Sequence, residues 1–175
     1  MHDPISHFLK SKPEMKLFPE ACLRKTCQPV TQFDAGLTAA VERMIQVMVR
    51  QKMGVGIAAP QLGLNLRIAV VDVKTRIPDA ERLVLINPEI VTHEGEQLSH
   101  EGCMSLPEYS GYLPRWAKVK VRYQNTLGQS RIKEATGLEA VCIQHEIDHL
   151  AGILFFDRVV QLKTGMKPRD AKRKT

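Results

Sequence analysis

The clearest pattern of apolar positions in this 175-residue chain follows Asp34. Apolar side chains recur there every three or four residues, which predicts an amphipathic helix of about 18 residues with its apolar stripe in the core. Asp34 is a typical N-cap residue, and Gly54 ends the pattern. The stripe consists of Leu37, Val41, Met44, Ile45 and Met48.

Strand patterns occupy the middle of the chain. Residues 66–73 form a β-branched apolar run, which predicts a central strand. Residues 118–123 alternate between apolar and charged side chains, which indicates a strand with one solvated face. Shorter strands are expected at 82–86, 89–93 and 129–135, with a turn or bulge at Asn87-Pro88 between the first two.

A second helix is expected over residues 137–150, ending near Gly152. Strands between two helices predict an α+β fold, with mostly antiparallel sheets packed around the C-terminal helix and an N-terminal amphipathic helix. No linker divides the chain, so we expect a single domain over 17–160, which would be the catalytic domain if the chain is an enzyme. Residues 1–16 are polar and interrupted by proline, which predicts a loose N-terminal extension.

The net charge of +6 is concentrated in residues 161–175, which carry six basic side chains and one acidic one. The rest of the chain is nearly neutral. A basic C-terminal tail has two interpretations: a solvated terminus, or a contact with a polyanion such as RNA. The first is the favoured one on sequence alone.

The chain lacks an apolar run long enough to cross a bilayer, and its N-terminus has no secretory signal pattern. We therefore expect a cytoplasmic protein. In that compartment its four cysteines should be free thiols or metal ligands rather than disulfides. They are Cys22, Cys27, Cys103 and Cys142.

Candidate chemistry lies in the C-terminal helix, where two histidines are four residues apart. At this spacing His145 and His149 project about 40° apart and roughly 6 Å apart along the axis, so both imidazoles can reach one metal ion. Glu146 sits beside the first histidine, where it can face a water molecule on that metal. The pattern His-Glu-x-x-His is typical of metal-dependent hydrolases, although a surface helix can carry the two histidines by chance.

A catalytic metal usually has three protein ligands and one open position. After His149, the chain offers only the carboxylates of Asp157 and Asp170. Upstream, Cys103 lies in a segment that also contains Glu101, Gly102, Ser105 and Pro107, which is an unusual setting for a cysteine that serves only as a small apolar residue. The residues alone therefore do not decide which side chain is the third ligand.

Three segments together resemble the peptide deformylases. In order, they are Gly-Val-Gly-Ile-Ala-Ala-Pro-Gln at 54–61, Glu-Gly-Cys-Met-Ser at 101–105 and Gln-His-Glu-Ile-Asp-His at 144–149. A looser similarity extends from about residue 17 to residue 159. The resemblance implies a hydrolase that removes the formyl group from the initiator methionine of nascent polypeptides and releases formate.

The resemblance also assigns residues. It implies that Cys103, His145 and His149 bind one metal ion per chain, and that Glu146 transfers protons. It places Gln61 and the backbone N–H of Met104 at the oxyanion. The substrate-binding residues that it implies are Val55, Gly56, Gly102, Leu138, Val141 and Cys142.

The cofactor implied is Fe²⁺, with Zn²⁺, Ni²⁺ or Co²⁺ as alternatives, and sulfur with two imidazoles suits these ions. The partners implied are N-formylmethionyl nascent peptides, with a weak ribosome contact through the basic tail. No membrane partner is expected, and a monomer in the bacterial cytoplasm is the simplest expectation, with an organelle as the alternative. Asp148 is expected to lie next to the ligands, and Glu101 is expected to pair with Arg115.

Two other functions share parts of this sequence pattern. A thermolysin-type zinc peptidase would cleave internal peptide bonds and tolerate loss of Cys103. A basic RNA-binding protein with a structural metal would bind RNA in a salt-dependent way and would not need Glu146. The chain also departs from the family in one motif, where Met104 stands at a position more often occupied by leucine.

Overall fold

The computed structural model describes residues 3–51 and 54–160 and the backbone of 166–168. Three α-helices are α1 Pro4–Lys10, α2 Ala35–Val49 and α3 Gly137–Leu150. The strands are β1 Gly56–Ala58, β2 Ile68–Val71, β3 Leu83–Cys103, β4 Leu106–Gln124, β5 Ser130–Thr136 and β6 Met166–Pro168. Short 3₁₀ turns cover Ala21–Arg24, Ala59–Leu62 and Phe155–Arg158.

The described strands form one antiparallel sheet in the order β1-β2-β3-β4-β5, with β6 paired to the tip of β4. Strand β2 shows how the sheet divides the core. Ile68 and Val70 belong to the apolar cluster that contains α2, whereas Ala69 and Val71 belong to the cluster that contains α3. Because alternate side chains face opposite sides, helices on both faces bury the whole strand. The predicted α+β architecture with antiparallel pairing is confirmed.

The predicted N-terminal amphipathic helix is confirmed as α2, which has 15 residues. Asp34 accepts a hydrogen bond of 2.9 Å from the backbone N–H of Leu37, which satisfies one of the free donors at the helix start. The predicted C-terminal helix is likewise confirmed, with the bounds of α3.

The prediction of two short strands at 82–86 and 89–93 was wrong. Both belong to β3, which continues through the polar residues 94–99 to Cys103. Asn87 takes the expected bulge with φ 51°, and its amide exchanges hydrogen bonds with both backbone groups of Val30. Asparagine tolerates this left-handed backbone, so the strand bends without ending.

The expectation of a loose extension over residues 1–16 needs correction for α1. Asp3 caps this helix by accepting from the backbone N–H groups of Ile5 and Ser6, and Pro4 occupies the first helical turn. Phe8 is buried in the same apolar cluster as α2. The buried Phe8 and the Asp3 cap therefore hold part of a segment whose composition suggested a loose extension. The division of the chain at residues 17 and 160 stays a prediction.

Among the described helices, none combines the length and apolar character that a bilayer crossing requires. None of the four cysteines, all of which lie in the described part of the chain, forms a disulfide. The side chains of the basic tail, 161–175, lie outside the described residues.

Candidate metal centre

The end of β3 and the helix α3 bring three metal-ligating side chains together. Cys103 is the last residue of β3, directly before the two-residue turn to β4, and His145 and His149 lie one helical turn apart on α3. One ligand atom of each of the three residues lies within 4.8 Å of the others. Cys103 Sγ is 3.2 Å from His149 Nε2. The helical spacing was evident in the sequence, but the approach of the cysteine comes from the long hairpin.

The chemistry of these donors fits one divalent metal ion. Burial opposes ionisation of the Cys103 thiol, but the charge of His149 and hydrogen bonds from both histidines hold its pKa well below the usual value. A thiolate is the metal-binding form of cysteine. One sulfur and two imidazoles form a three-ligand set of the kind used by catalytic zinc and iron sites.

His145 is oriented by Glu101. The Nδ1–H group of His145 donates to Glu101 Oε2 over 2.8 Å, which leaves Nε2 to face Cys103 and His149. Burial works against the charged form of Glu101, but hydrogen bonds from Arg115 and His145 lower its pKa to about 2. Arg115 contacts both oxygens of Glu101, at 2.8 and 2.9 Å. The expected Glu101–Arg115 pair is confirmed, and its carboxylate stays ionised.

Glu146 is buried beside the ligands, with 4% of its surface exposed. Burial raises its pKa to about 7, so its carboxyl group can gain or lose a proton near neutral pH. Its Oε2 atom has no hydrogen-bond partner among the described residues. A Cβ placed on Gly56 would lie 2.3 Å from Glu146 Oε1, so any larger residue at position 56 would displace this carboxylate. The first and third sequence motifs therefore meet at this contact.

The amide of Gln61 is held with its NH₂ group toward the cysteine. Its Oε1 accepts a hydrogen bond of 2.9 Å from the backbone N–H of Ala58. Its Nε2 donates to Ser105 Oγ at 3.2 Å and faces Cys103 Sγ at 3.5 Å. Because a backbone N–H can only donate, this contact fixes which end of the amide faces the site. A fixed donor of this kind can stabilise a developing oxyanion.

A sequence model of the family described as "Polypeptide deformylase" matches residues 13–165. The chain belongs to this family. Its members are metal-dependent hydrolases that remove the N-formyl group from nascent peptides, and the Cys/His/His group fits a single metal in such an enzyme.

Relatives and solved structures agree with this family. The peptide deformylase of Heliobacterium modesticaldum is 47% identical over 137 residues, which are 78% of this chain and 87% of the relative. The peptide deformylase structure from Legionella pneumophila has a TM-score of 0.81 at 38% identity and covers 87% of this chain and 89% of its own. That from Thermotoga maritima has a TM-score of 0.80 at 39% identity, covering 86% and 99%.

The substrate-binding residues inferred from the deformylase resemblance lie around the same centre. Leu138, Val141 and Cys142 precede His145 at helical spacing on α3, so they share its face. Val55 packs against the apolar cluster that contains Cys142. Gly102 directly precedes Cys103 on β3, where it pairs with Ser110, and Gly56 contacts Glu146 as described above.

Two residues near the centre were not assigned from the sequence. Ser105 is buried, accepts from Gln61, and directs its backbone N–H toward Cys103 Sγ at 3.4 Å. Its place in the second motif, two residues after the cysteine, was the available signal. Arg158 binds Asp148 on α3, and nothing in its local sequence indicates that contact. Met104 lies in the turn between β3 and β4, beside the cysteine.

Proposed function

We propose that this chain removes the formyl group from the N-formylmethionine of nascent peptides at the centre formed by Cys103, His145 and His149. The observation that carries the proposal is the approach of these three ligand atoms to within 4.8 Å, next to a buried Glu146. The family membership supports the same reaction.

In this proposal the two histidines and the Cys103 thiolate hold one ion. When bound, a divalent metal supplies Lewis-acid chemistry and lowers the pKa of water toward about 7. Family resemblance favours Fe²⁺ over Zn²⁺, Ni²⁺ and Co²⁺, all of which suit a sulfur and two nitrogens. Metal analysis of protein purified without oxygen tests this choice: stoichiometric iron supports it, and zinc at that level contradicts it.

The remaining steps belong to side chains of this chain. Glu146 takes a proton from the attacking water as the oxygen bonds to the formyl carbon. Gln61 Nε2 and the backbone N–H of Met104 donate to the formyl oxygen as its negative charge grows. Glu146 then gives its proton to the amine nitrogen while the carbon–nitrogen bond breaks, and formate leaves. A carboxyl group with a pKa near 7 suits both transfers.

The methionine side chain is proposed to lie against α3. Leu138, Val141 and Cys142 offer an apolar surface one and two turns before His145. Burial raises the pKa of the Cys142 thiol to about 12, so it stays neutral and suits an apolar wall. Val55, Gly56 and Gly102 are proposed to contact the peptide backbone.

The decisive experiment measures formate release from formyl-Met-Ala-Ser by metal-loaded protein. Glu146→Gln should lower kcat/KM by about 10²–10⁴-fold with the metal still bound, because only the proton carrier is lost. Glu139→Gln is the matched control, since Glu139 lies on the same helix and pairs instead with Lys133. Full activity in Glu146→Gln would refute the mechanism.

The same assay separates the two other functions. A thermolysin-type peptidase would cleave unformylated internal peptide bonds and keep its activity after Cys103→Ser. An RNA-binding protein with a structural metal would bind RNA and release no formate. For the deformylase, Cys103→Ser should abolish formate release and weaken metal binding.

We also propose that the protein acts as a monomer in the cytoplasm on peptides leaving the ribosome. The charge of the tail, 161–175, supports a weak, salt-sensitive contact with ribosomal RNA. Cosedimentation with ribosomes at low and high salt tests it: truncation after Val160 should remove the salt-sensitive fraction.

A further inference from the structure

A row of alternating charges connects the protein surface to His145. Arg158 grips Asp148 through two hydrogen bonds of 2.6 and 2.5 Å. Asp148 also accepts from Arg115 Nη1 at 2.5 Å, and the other two nitrogens of that guanidinium donate to the two oxygens of Glu101. Glu101 in turn accepts from His145.

Side-chain exposure falls steeply from Arg158 inward to Arg115. The side chain of Arg158 is 42% exposed, that of Asp148 is 8% exposed, and that of Arg115 is 3% exposed. Arg158 is therefore the most exposed member of the row, since the side chains of Glu101 and His145 are 6% and 12% exposed. Together the two arginines neutralise the two carboxylates.

We propose that Arg158 is a positioning residue for the metal ligand His145. It acts through Asp148 and Arg115, which fix the carboxylate of Glu101. The inference rests on the proposed function, in which His145 binds the metal.

Two carboxylates share the buried guanidinium of Arg115. Arg115 lies between two carboxylates, and Arg158 neutralises one of them. Without Arg158, Arg115 becomes the only arginine among the described residues that pairs with either carboxylate, and its attraction to Asp148 competes with its hydrogen bonds to Glu101. Because the group is shielded from water, this competition is weakly screened. A less firmly held Glu101 leaves the ring of His145 less well oriented for an ion.

In the experiment, metal-free protein is titrated with Co²⁺. The titration gives the Co²⁺ affinity, and the visible and thiolate-to-cobalt absorption bands of the cobalt form report the geometry of the ligands. Arg158→Met should weaken Co²⁺ binding about 10-fold, which is at the low end of the range for residues that orient ligands. It should also shift the absorption bands that report ligand geometry. Arg158→Lys keeps the positive charge but loses the paired hydrogen bonds to Asp148, so its Co²⁺ affinity should lie between those of the wild type and Arg158→Met.

Arg24→Met is the matched control. Arg24 has a similar exposure, 37%, and pairs with Asp157 on the same 3₁₀ turn, but it does not contact the charge row. It should leave Co²⁺ affinity and spectrum within about twofold of the wild type. In a Glu101→Gln background, Arg158→Met should have no additional effect, because the connection to His145 is already broken.

Each outcome decides between explanations. A wild type that never develops the thiolate band overturns the proposed metal site and this inference with it. A normal wild type with an unchanged Arg158→Met variant overturns the inference alone. Equal losses in Arg24→Met and Arg158→Met would also overturn it, since they would show that only tethering of the turn matters.

Discussion

Replacing Gly56 by alanine tests the contact that places Glu146. The backbone of Gly56 lies outside the positive-φ region, so alanine fits the local conformation. The new methyl group would nevertheless lie 2.3 Å from Glu146 Oε1, 2.9 Å from Cδ and 3.0 Å from Cγ. The carboxylate must move by about 1 Å to restore ordinary contact distances, because β1 is held in the sheet.

The size of the effect follows from that displacement. A misplacement of about 1 Å can cost a catalytic group about 10²-fold, equivalent to about 2.7 kcal/mol of activation free energy. We therefore expect Gly56→Ala to lower kcat/KM for formate release by about 100-fold. Metal content should stay at the wild-type level, because neither Cys103 nor the histidines are displaced directly. The free energy of unfolding should fall by about 1–3 kcal/mol from the overlap.

A double-mutant cycle isolates the cause. In a Glu146→Ala background the three crowded atoms are absent, so Gly56→Ala should lose most of its effect on the free energy of unfolding. Urea unfolding of the four proteins measures this coupling. If Gly56→Ala retained wild-type kcat/KM, or destabilised both backgrounds equally, the argument that glycine makes room for the carboxylate would be refuted.

Three further substitutions probe the fold and its electrostatics. Glu101→Gln should lower the free energy of unfolding by about 3 kcal/mol at pH 7, because a native pKa of about 2 against an unfolded value of 4.5 stabilises the protein above pH 4.5. This stability is lost as the pH falls from 4.5 to 2, so the gap measured by urea unfolding should close over that interval. Gly152→Ala should lower the free energy of unfolding by about 2–3 kcal/mol, because φ of Gly152 is +74° and the added Cβ would lie 2.6 Å from the carbonyl oxygen of Arg24. An unchanged thermal midpoint would contradict this expectation. Phe8→Ala should cost about 3 kcal/mol if α1 is anchored as described, and proteolysis near residue 10 should accelerate.

Local sequence patterns predicted those parts of the site that depend on one element. The spacing of His145 and His149 fixes their common face on α3, and Asp34 marks the start of α2, because helix geometry is determined within a few residues. The position of Cys103 is different. It depends on the register of β3 against β4. That register includes a bulge at Asn87, which is stabilised by hydrogen bonds between the Asn87 amide and the backbone of Val30.

Contacts between distant segments could not be predicted from local pattern. Arg158 and Asp148 are ten positions apart, yet their pairing depends on how the chain turns back after α3. The Glu101–Arg115 pair was expected as an isolated contact, but its extension to Asp148 and Arg158 was not. Ser105 has the same difficulty, because a serine in a turn gives no sign that a glutamine 44 positions earlier will donate to it.

Glu101, which accepts a hydrogen bond from His145, and Glu146, which follows His145 on α3, differ in proton affinity because their surroundings differ. Glu101 is buried, but Arg115 contacts both of its oxygens, and its pKa falls to about 2. Glu146 is also buried, has no arginine partner among the described residues, and has a pKa near 7. Pairs of titratable groups pushed apart in this way mark separate roles. A carboxylate that stays ionised at neutral pH suits the orientation of His145, and one with a pKa near 7 suits proton transfer, which supports the roles proposed for Glu101 and Glu146.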